Sequence, residues 1–270
     1  MLSQGQADRW ITGKRQAGHG SMLIVEKRTL QAPVMFGDAL PKGAAKLAVD
    51  LLGRRIANGR YLPGEIMPTE TALAESLQVS RATIRDAIKV LSGKGLVRTA
   101  RRYGTRVRPV EEWNLLDSDV VSWHEPGHPR LVTMFAETTE LRIILEPAAA
   151  ELAAQRATPA QIATIVEAAQ ALHPEQDDVQ ETFAADCRFH ATILDATGNG
   201  MLRQMRPLIV SMLRVSYEFA VLQYAVVPSR DGHIRVAEAI AAHDGDRARA
   251  EMARMLELNR RDAISIGARG

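Results

Sequence analysis

Between Pro68 and Leu91 the chain reads PTETALAESLQVSRATIRDAIKVL, a stretch that few folds accommodate. Thr69 follows a proline and precedes Glu70, so its hydroxyl can cap a helix while the acid complements the positive dipole end. The pattern breaks at Leu77-Gln78-Val79 and restarts with Ser80 as a second cap. Val79, Ile84, Ile88 and Leu91 then recur at helical spacing. Two helices joined by so short a turn make a helix-turn-helix. Arg81, Thr83 and Arg85 crowd the start of the second helix, where arginine meets the positive end of the dipole. A polyanion outside the protein would resolve that conflict.

The flanking sequence completes a module. GAAKLAVDLLGRRIAN (43–58) reads as a preceding helix with Leu47, Leu51 and Ile56 as its apolar stripe, and GRYLPG (59–64) as a turn. LVRTA (96–100) and GTRVR (104–108), parted by Arg101-Arg102-Tyr103, predict a β-hairpin wing. Residues 41–109 are therefore expected to form a winged helix-turn-helix. Residues 1–40 are weakly periodic and are expected to be a poorly ordered extension, with Met22 or Met35 as alternative starts.

Charge supports the division. Residues 43–110 carry 13 Lys+Arg against 5 Asp+Glu, a balance of +8, whereas 111–270 carry 15 against 24, or −9. A basic module joined to an acidic one fits nucleic-acid binding beside a second task. The phosphate backbone supplies the missing negative charge, and Ser80, Arg81, Thr83 and Arg85 lie where a recognition helix meets base edges.

Over this stretch, GRYLPGEIMPTETALAESLQVSRATIRDAIKVLSGKGLVRTARRYGTRV resembles the winged-helix domain of GntR-type bacterial transcription regulators. The resemblance implies DNA contacts at Ser80, Arg81, Thr83 and Arg85, and at Tyr103 and Gly104 on the wing tip. One position departs: the arginine usual after the glutamate of the second helix is Thr71 here.

From about 117 to 266 helical periodicity persists, with breaks at EPGHP (125–129), ATPAQ (157–161), HPEQ (173–176), TGNG (197–200), VVPSR (226–230) and HDGD (243–246). The expected fold is mainly α: the winged module, a linker and interdomain helix over 110–128, and a six- or seven-helix antiparallel bundle over 129–268 that binds ligand and dimerises. Within FAADCRFHATILDATGN (183–199), Asp186 and His190 stand four apart and share one helical face. A carboxylate and an imidazole so placed can bind one metal ion, and His233 can supply a third ligand. On spacing alone, a solvated Asp–His pair is the commoner outcome.

The resemblance extends to this half, since the FadR-type branch carries an all-helical effector (FCD) domain with a D-x-x-x-H motif followed by GN and two later histidines. Asp186, His190 and His233 match three of its four ligands to a divalent metal, zinc or similar. The fourth falls near Met255, a poor ligand for a hard ion. Arg142 in TELRIILEPAAA matches the branch's ligand-facing arginine, with Leu141, Ile144 and Leu145 expected to pack. A salt bridge to Glu146 is its bland alternative. Arg188 is a second candidate for ligand binding. EEWNLLDSDVVSW (111–123) is similar to the same segment in the sugar-acid regulators of the family, which implies an aldonate or related carboxylate effector. Trp113 and Trp123 can equally serve packing.

Cys187 is expected to pack, the methionines at 201, 205, 212, 252 and 255 to fill core or interface, and His124, His128, His173 and His243, all at breaks, to be solvated. No run of 18 apolar residues suggests a membrane span, and a single cysteine without a secretory leader fits a reducing cytoplasm. The combined expectation is a homodimeric repressor that binds operator DNA and is released by a sugar acid. The competing class is a metal-dependent enzyme on a small hydroxy acid that uses Asp186, His190 and His233, with the winged helix as a DNA-docking module. A nucleoid protein, needing no pocket, is a third.

Overall fold

The computed structural model describes residues 43–125, 128–172, 179–217 and 228–267, with side chains to 261. The expectations for residues 1–40, for His173 and for the HPEQ break lie outside these residues. The chain divides into two compact units, one ending at Met134 and the other beginning at Phe135.

The first unit opens with α1 (Ala44–Ala57), α2 (Glu70–Leu77) and α3 (Arg81–Gly93). Thr69 caps α2 by accepting from Ala72 N at 3.2 Å, and Ser80 caps α3 by accepting from Thr83 N at 3.0 Å. Gln78 takes the left-handed conformation at φ 53° and closes α2. On α3 the buried face is Ile84, Ala87, Ile88 and Leu91, packed on α1 and α2. Strands β1 (Val97–Ala100) and β2 (Gly104–Val107) pair antiparallel with Val97 opposite Val107. A third extended segment joins them: Met67 N donates to Thr105 O and Val107 N to Glu65 O, both short backbone bonds at 2.8 and 2.9 Å.

The α1 stripe requires a correction. Leu47 and Leu51 are 71% and 41% exposed, while Ala48, Val49, Leu52 and Ile56 are buried. Both sets have helical spacing, and α3 and Trp123 select the second. A Cβ on Gly53 would come within 2.5 Å of the Trp123 ring, so this glycine admits the indole.

Trp123 belongs to the segment after the wing, where α4 (Ser118–Ser122) sits. That segment packs within the first unit: Trp113, Val120 and Trp123 lie in its core. Lys94 at the end of α3 donates to Asp117 and Asp119 at 2.7–2.8 Å. Gly95, at φ 80°, lets the backbone at Glu112 approach; a Cβ there would lie 2.5 Å from its carbonyl. Asn58 ends the arrangement by donating to Trp123 O and accepting from Glu125 N. His124 is 2% exposed rather than solvated, and burial lowers its pKa to about 4. The break at 125–129 therefore begins one residue beyond a buried position.

The second unit is helical throughout its described residues. Its elements are α5 (Arg130–Arg156), α6 (Pro159–Gln170), α7 (Val179–Ala196), α8 (Gly200–Gln204), α9 (Arg206–Ser216), α10 (Arg230–Ala241) and α11 (Gly245–Gly267). Thr158 and Gln161 form a capping box at α6, and Asn199 caps α8, which explains the breaks at ATPAQ and TGNG. α7 packs on α6 and α9, and α10 on α6 and α11. The buried face of α7 includes Phe183, Asp186, Cys187, Phe189 and His190. Ile144 departs from its expected packing: it is 70% exposed in the single chain. On α5, Arg142 and Glu146 take the buried positions instead.

Candidate nucleic-acid interface and buried polar centre

At the start of α3, Ser80, Arg81 and Arg85 are exposed and Thr83 is half-buried. The Ser80 and Thr83 hydroxyls lie 2.8 Å apart, so capping already occupies the serine. Arg85 donates to Glu70 at 3.1 Å, and its guanidinium is raised further above its usual pKa by that partner. No acid stands in the first turn of α3. On the wing, Arg98 and Arg106 face each other across the strands, and Arg101, Arg102 and the 74%-exposed Tyr103 form the tip. Like charges directly opposite destabilise a sheet, and Arg106 relieves the pairing by donating from Nη1 to Gly64 O at 2.7 Å. Arg98 and Arg106 add to the basic surface of the wing, to which the charge balance of residues 43–110 points and the motif does not. Thr71, where the family's arginine would stand, is exposed.

The second unit assembles a different constellation from three helices. Two i,i+4 pairs, Arg142–Glu146 on α5 and Asp186–His190 on α7, meet His233 from the first turn of α10. Arg142 Nε donates to Glu146 Oε1 at 2.5 Å, and Arg142 Nη2 lies 3.2 Å from His190 Nε2. The other Glu146 oxygen accepts from His190 Nδ1 in a very short hydrogen bond. His233 Nδ1 donates to Ser229 O at 2.8 Å. With a carboxylate and a carbonyl at the two Nδ1 atoms, both rings turn Nε2 inward.

Those nitrogens converge on Asp186 Oδ1 at 3.2 Å (His190) and 3.0 Å (His233), and lie 3.3 Å from each other. Phe189 stacks edge-on against both rings. All five polar residues are at most 3% exposed. With neutral imidazoles, one arginine and two carboxylates leave the cluster at −1. A proton would balance it, whereas a divalent ion would bring it to +1, a charge that one ligand carboxylate would neutralise. Burial alone would raise the Glu146 pKa, but the Arg142 charge and His190 outweigh it and hold it at about 2. Asp186 is likewise driven far below the usual range by its two histidines, against burial. Burial disfavours charge on His190, yet the Glu146 charge and the bonds to both carboxylates leave its pKa raised.

The structure thus brings Asp186, His190, His233 and Arg142 together. Arg188 is exposed on α7, facing away from that group. The Met255 thioether packs on Gly232, where an added Cβ would lie 3.1 Å from its sulfur. Cys187 is buried, and burial pushes its thiol pKa up. Glu146 was missed as a member of the site and appeared only as a salt-bridge partner, because its reach to His190 spans 44 residues of sequence.

Comparison with known proteins follows the same division. Residues 44–107 match the family model described as bacterial regulatory proteins, gntR family, and residues 137–258 match that of the FCD domain. The galactonate operon transcriptional repressor of Escherichia coli K12 is 34% identical over 201 residues, covering 73% of this chain and 86% of the relative. The HTH-type transcriptional regulator LutR of Bacillus subtilis 168 is 28% identical over 206 residues, covering 73% and 90%. Among solved structures, Lar of Listeria monocytogenes aligns over 84% of this chain and 99% of its own, with a TM-score of 0.51 at 19% identity.

Proposed function

The chain belongs to the GntR family of bacterial regulatory proteins, with an FCD domain, and from that premise we propose that it is a repressor released from operator DNA by a sugar acid bound in its helical unit. The family is one of transcription regulators, so the enzyme reading of Asp186, His190 and His233 lapses. The observation that carries the proposal is the buried cluster of net charge −1, whose three donor atoms converge within 3.3 Å.

That donor set fits a divalent metal. Donors about 2.1 Å from a common centre and separated as these are subtend angles of about 90–105°, between octahedral and tetrahedral values. Asp186, His190 and His233 would hold the ion. Met255 supplies no fourth hard ligand, which leaves positions for oxygens from outside the protein. When bound, the metal would offer Lewis acidity to carboxylate and hydroxyl oxygens. Glu146 fixes the His190 ring and so acts as a positioning residue. Arg142 directs donors at Glu146 and His190 but has five N–H groups, enough to receive a ligand carboxylate as well. The galactonate operon repressor, whose name specifies a sugar-acid operon, supports an aldonate as the effector.

On the DNA side, Arg81 and Arg85 read bases, Ser80 and Thr83 support them at the backbone, and Tyr103 and Gly104 place the wing with the help of Arg98 and Arg106. Two copies related by a two-fold axis match a palindromic operator, in the cytoplasm. The effector acts through differential affinity for two arrangements of the dimer. Fluorescence anisotropy on the chain's own upstream DNA at stepped salt, with and without D-galactonate, tests this. Salt-dependent binding relieved by the acid is expected, and Arg142→Ala should bind DNA yet ignore the acid. Binding that is indifferent to salt, or to every aldonate tried, would overturn the reading.

A further inference from the structure

α9 ends at Ser216, and the next residue, Tyr217, enters the core edge-on to Phe183 with ring centroids 5.0 Å apart. Its ring is 2% exposed, and its Oη lacks a hydrogen-bond partner. A phenol buried in this way has lost its bonds to water and gained from the protein no hydrogen bond of ordinary length, only the weaker pull of the Asp186 carboxylate, so the hydroxyl contributes little that phenylalanine would not. Phe183 and Phe189, in the same core, show that a plain ring suffices for packing. Phe183, the ring it meets, stands one turn before Asp186 on α7, which sets Tyr217 beside the polar centre. At neutral pH a phenol is an O–H donor.

We infer that Tyr217 is a specificity-determining residue whose hydroxyl donates to the oxygen on the carbon next to the effector's carboxylate, so that the site selects α-hydroxy acids over their deoxy counterparts. The inference rests on the effector reading above. Arg142 takes the carboxylate, and an adjacent hydroxyl lying between Tyr217 and Asp186 can accept from the phenol and donate to the aspartate. A simple carboxylate satisfies Arg142 and leaves Tyr217 as it is without ligand.

Calorimetric titration of full-length protein with zinc added tests this, using D-galactonate and D-gluconate, each against its 2-deoxy analogue. Wild type should prefer the hydroxy acid about tenfold or more. Tyr217→Phe should bind it about five- to tenfold more weakly while holding the deoxy acid unchanged, the scale of one hydrogen bond. Without acid, Tyr217→Phe should melt at the wild-type temperature or above. A preference unchanged in Tyr217→Phe overturns the inference and leaves the effector reading standing. A clearly lower melting temperature also overturns it, because the protein itself would then be satisfying the hydroxyl. If wild type binds none of the four acids, the effector reading fails and takes the inference with it.

Discussion

Arg85 and Arg142 each lie against a glutamate, Glu70 at 3.1 Å and Glu146 at 2.5 Å, yet the two pairs differ in everything else. The first lies on the surface of α3, in water, beside arginines that have no acid near the helix start. The second is sealed between helices with two histidines and an aspartate. In water an ion pair gains little and exchanges partners readily, so Arg85 can leave Glu70 for a phosphate or a base edge. In the interior the desolvation of each charge is offset only by its partners, so the cluster is fixed and its residual charge selects what may enter. The same residue types serve as an adaptable reader in one unit and as a preorganised receptor in the other.

The strongest way to break this contrast is to remove one carboxylate from each pair. Glu146→Ala leaves the Arg142 charge buried and unpaired, and should cost about 3–5 kcal/mol in urea unfolding. Glu70→Ala should cause too small a change to resolve in the same titration. Equal losses would mean that burial does not separate the pairs.

Acid unfolding sharpens the point within the first unit. The folded pKa of His124, about 4, lies below the unfolded value near 6.5, so the neutral ring carries no penalty at pH 7. As pH falls between those values, the unfolded chain takes up a proton that the folded one refuses, and stability declines by about 3 kcal/mol by pH 4. His124→Phe should flatten that part of the urea-midpoint profile; an unchanged slope would place the loss in other groups.

On the surface the expected effects move from stability to binding. Arg81→Ala should cost about 1–3 kcal/mol of specific operator affinity, read by anisotropy on specific and scrambled DNA, with unfolding changed by less than about 0.5 kcal/mol. Loss of affinity for both DNAs alike would make Arg81 a phosphate contact. The smallest expected effect is that of Glu70→Ala on DNA: a slight gain in affinity at low salt, as Arg85 loses its competitor, fading as salt rises.

The fold and the candidate site were legible to different depths. Thr69 and Ser80 as caps, the turn at Gln78, the wing strands and the breaks at Thr158 and Asn199 all rest on contacts within a few residues, and the sequence displays those directly. The pairs Arg142–Glu146 and Asp186–His190 were equally visible as i,i+4 neighbours. What spacing could not supply was the choice among faces that local pattern leaves equivalent. The α1 helix buries Ala48 and Leu52 rather than Leu47 and Leu51 because a tryptophan from 70 residues later fits on Gly53. Arg188 points outward although it sits between two buried ligands. Glu146 reaches His190, and Tyr217 comes within range of the Asp186 charge, only once α5, α7 and α9 are packed. Capping and periodicity are short-range properties of a chain, so the sequence by itself determined the elements and the chemistry they carry. Burial is a property of the assembled core, so tertiary structure alone decided which charges face water and which must balance one another without it.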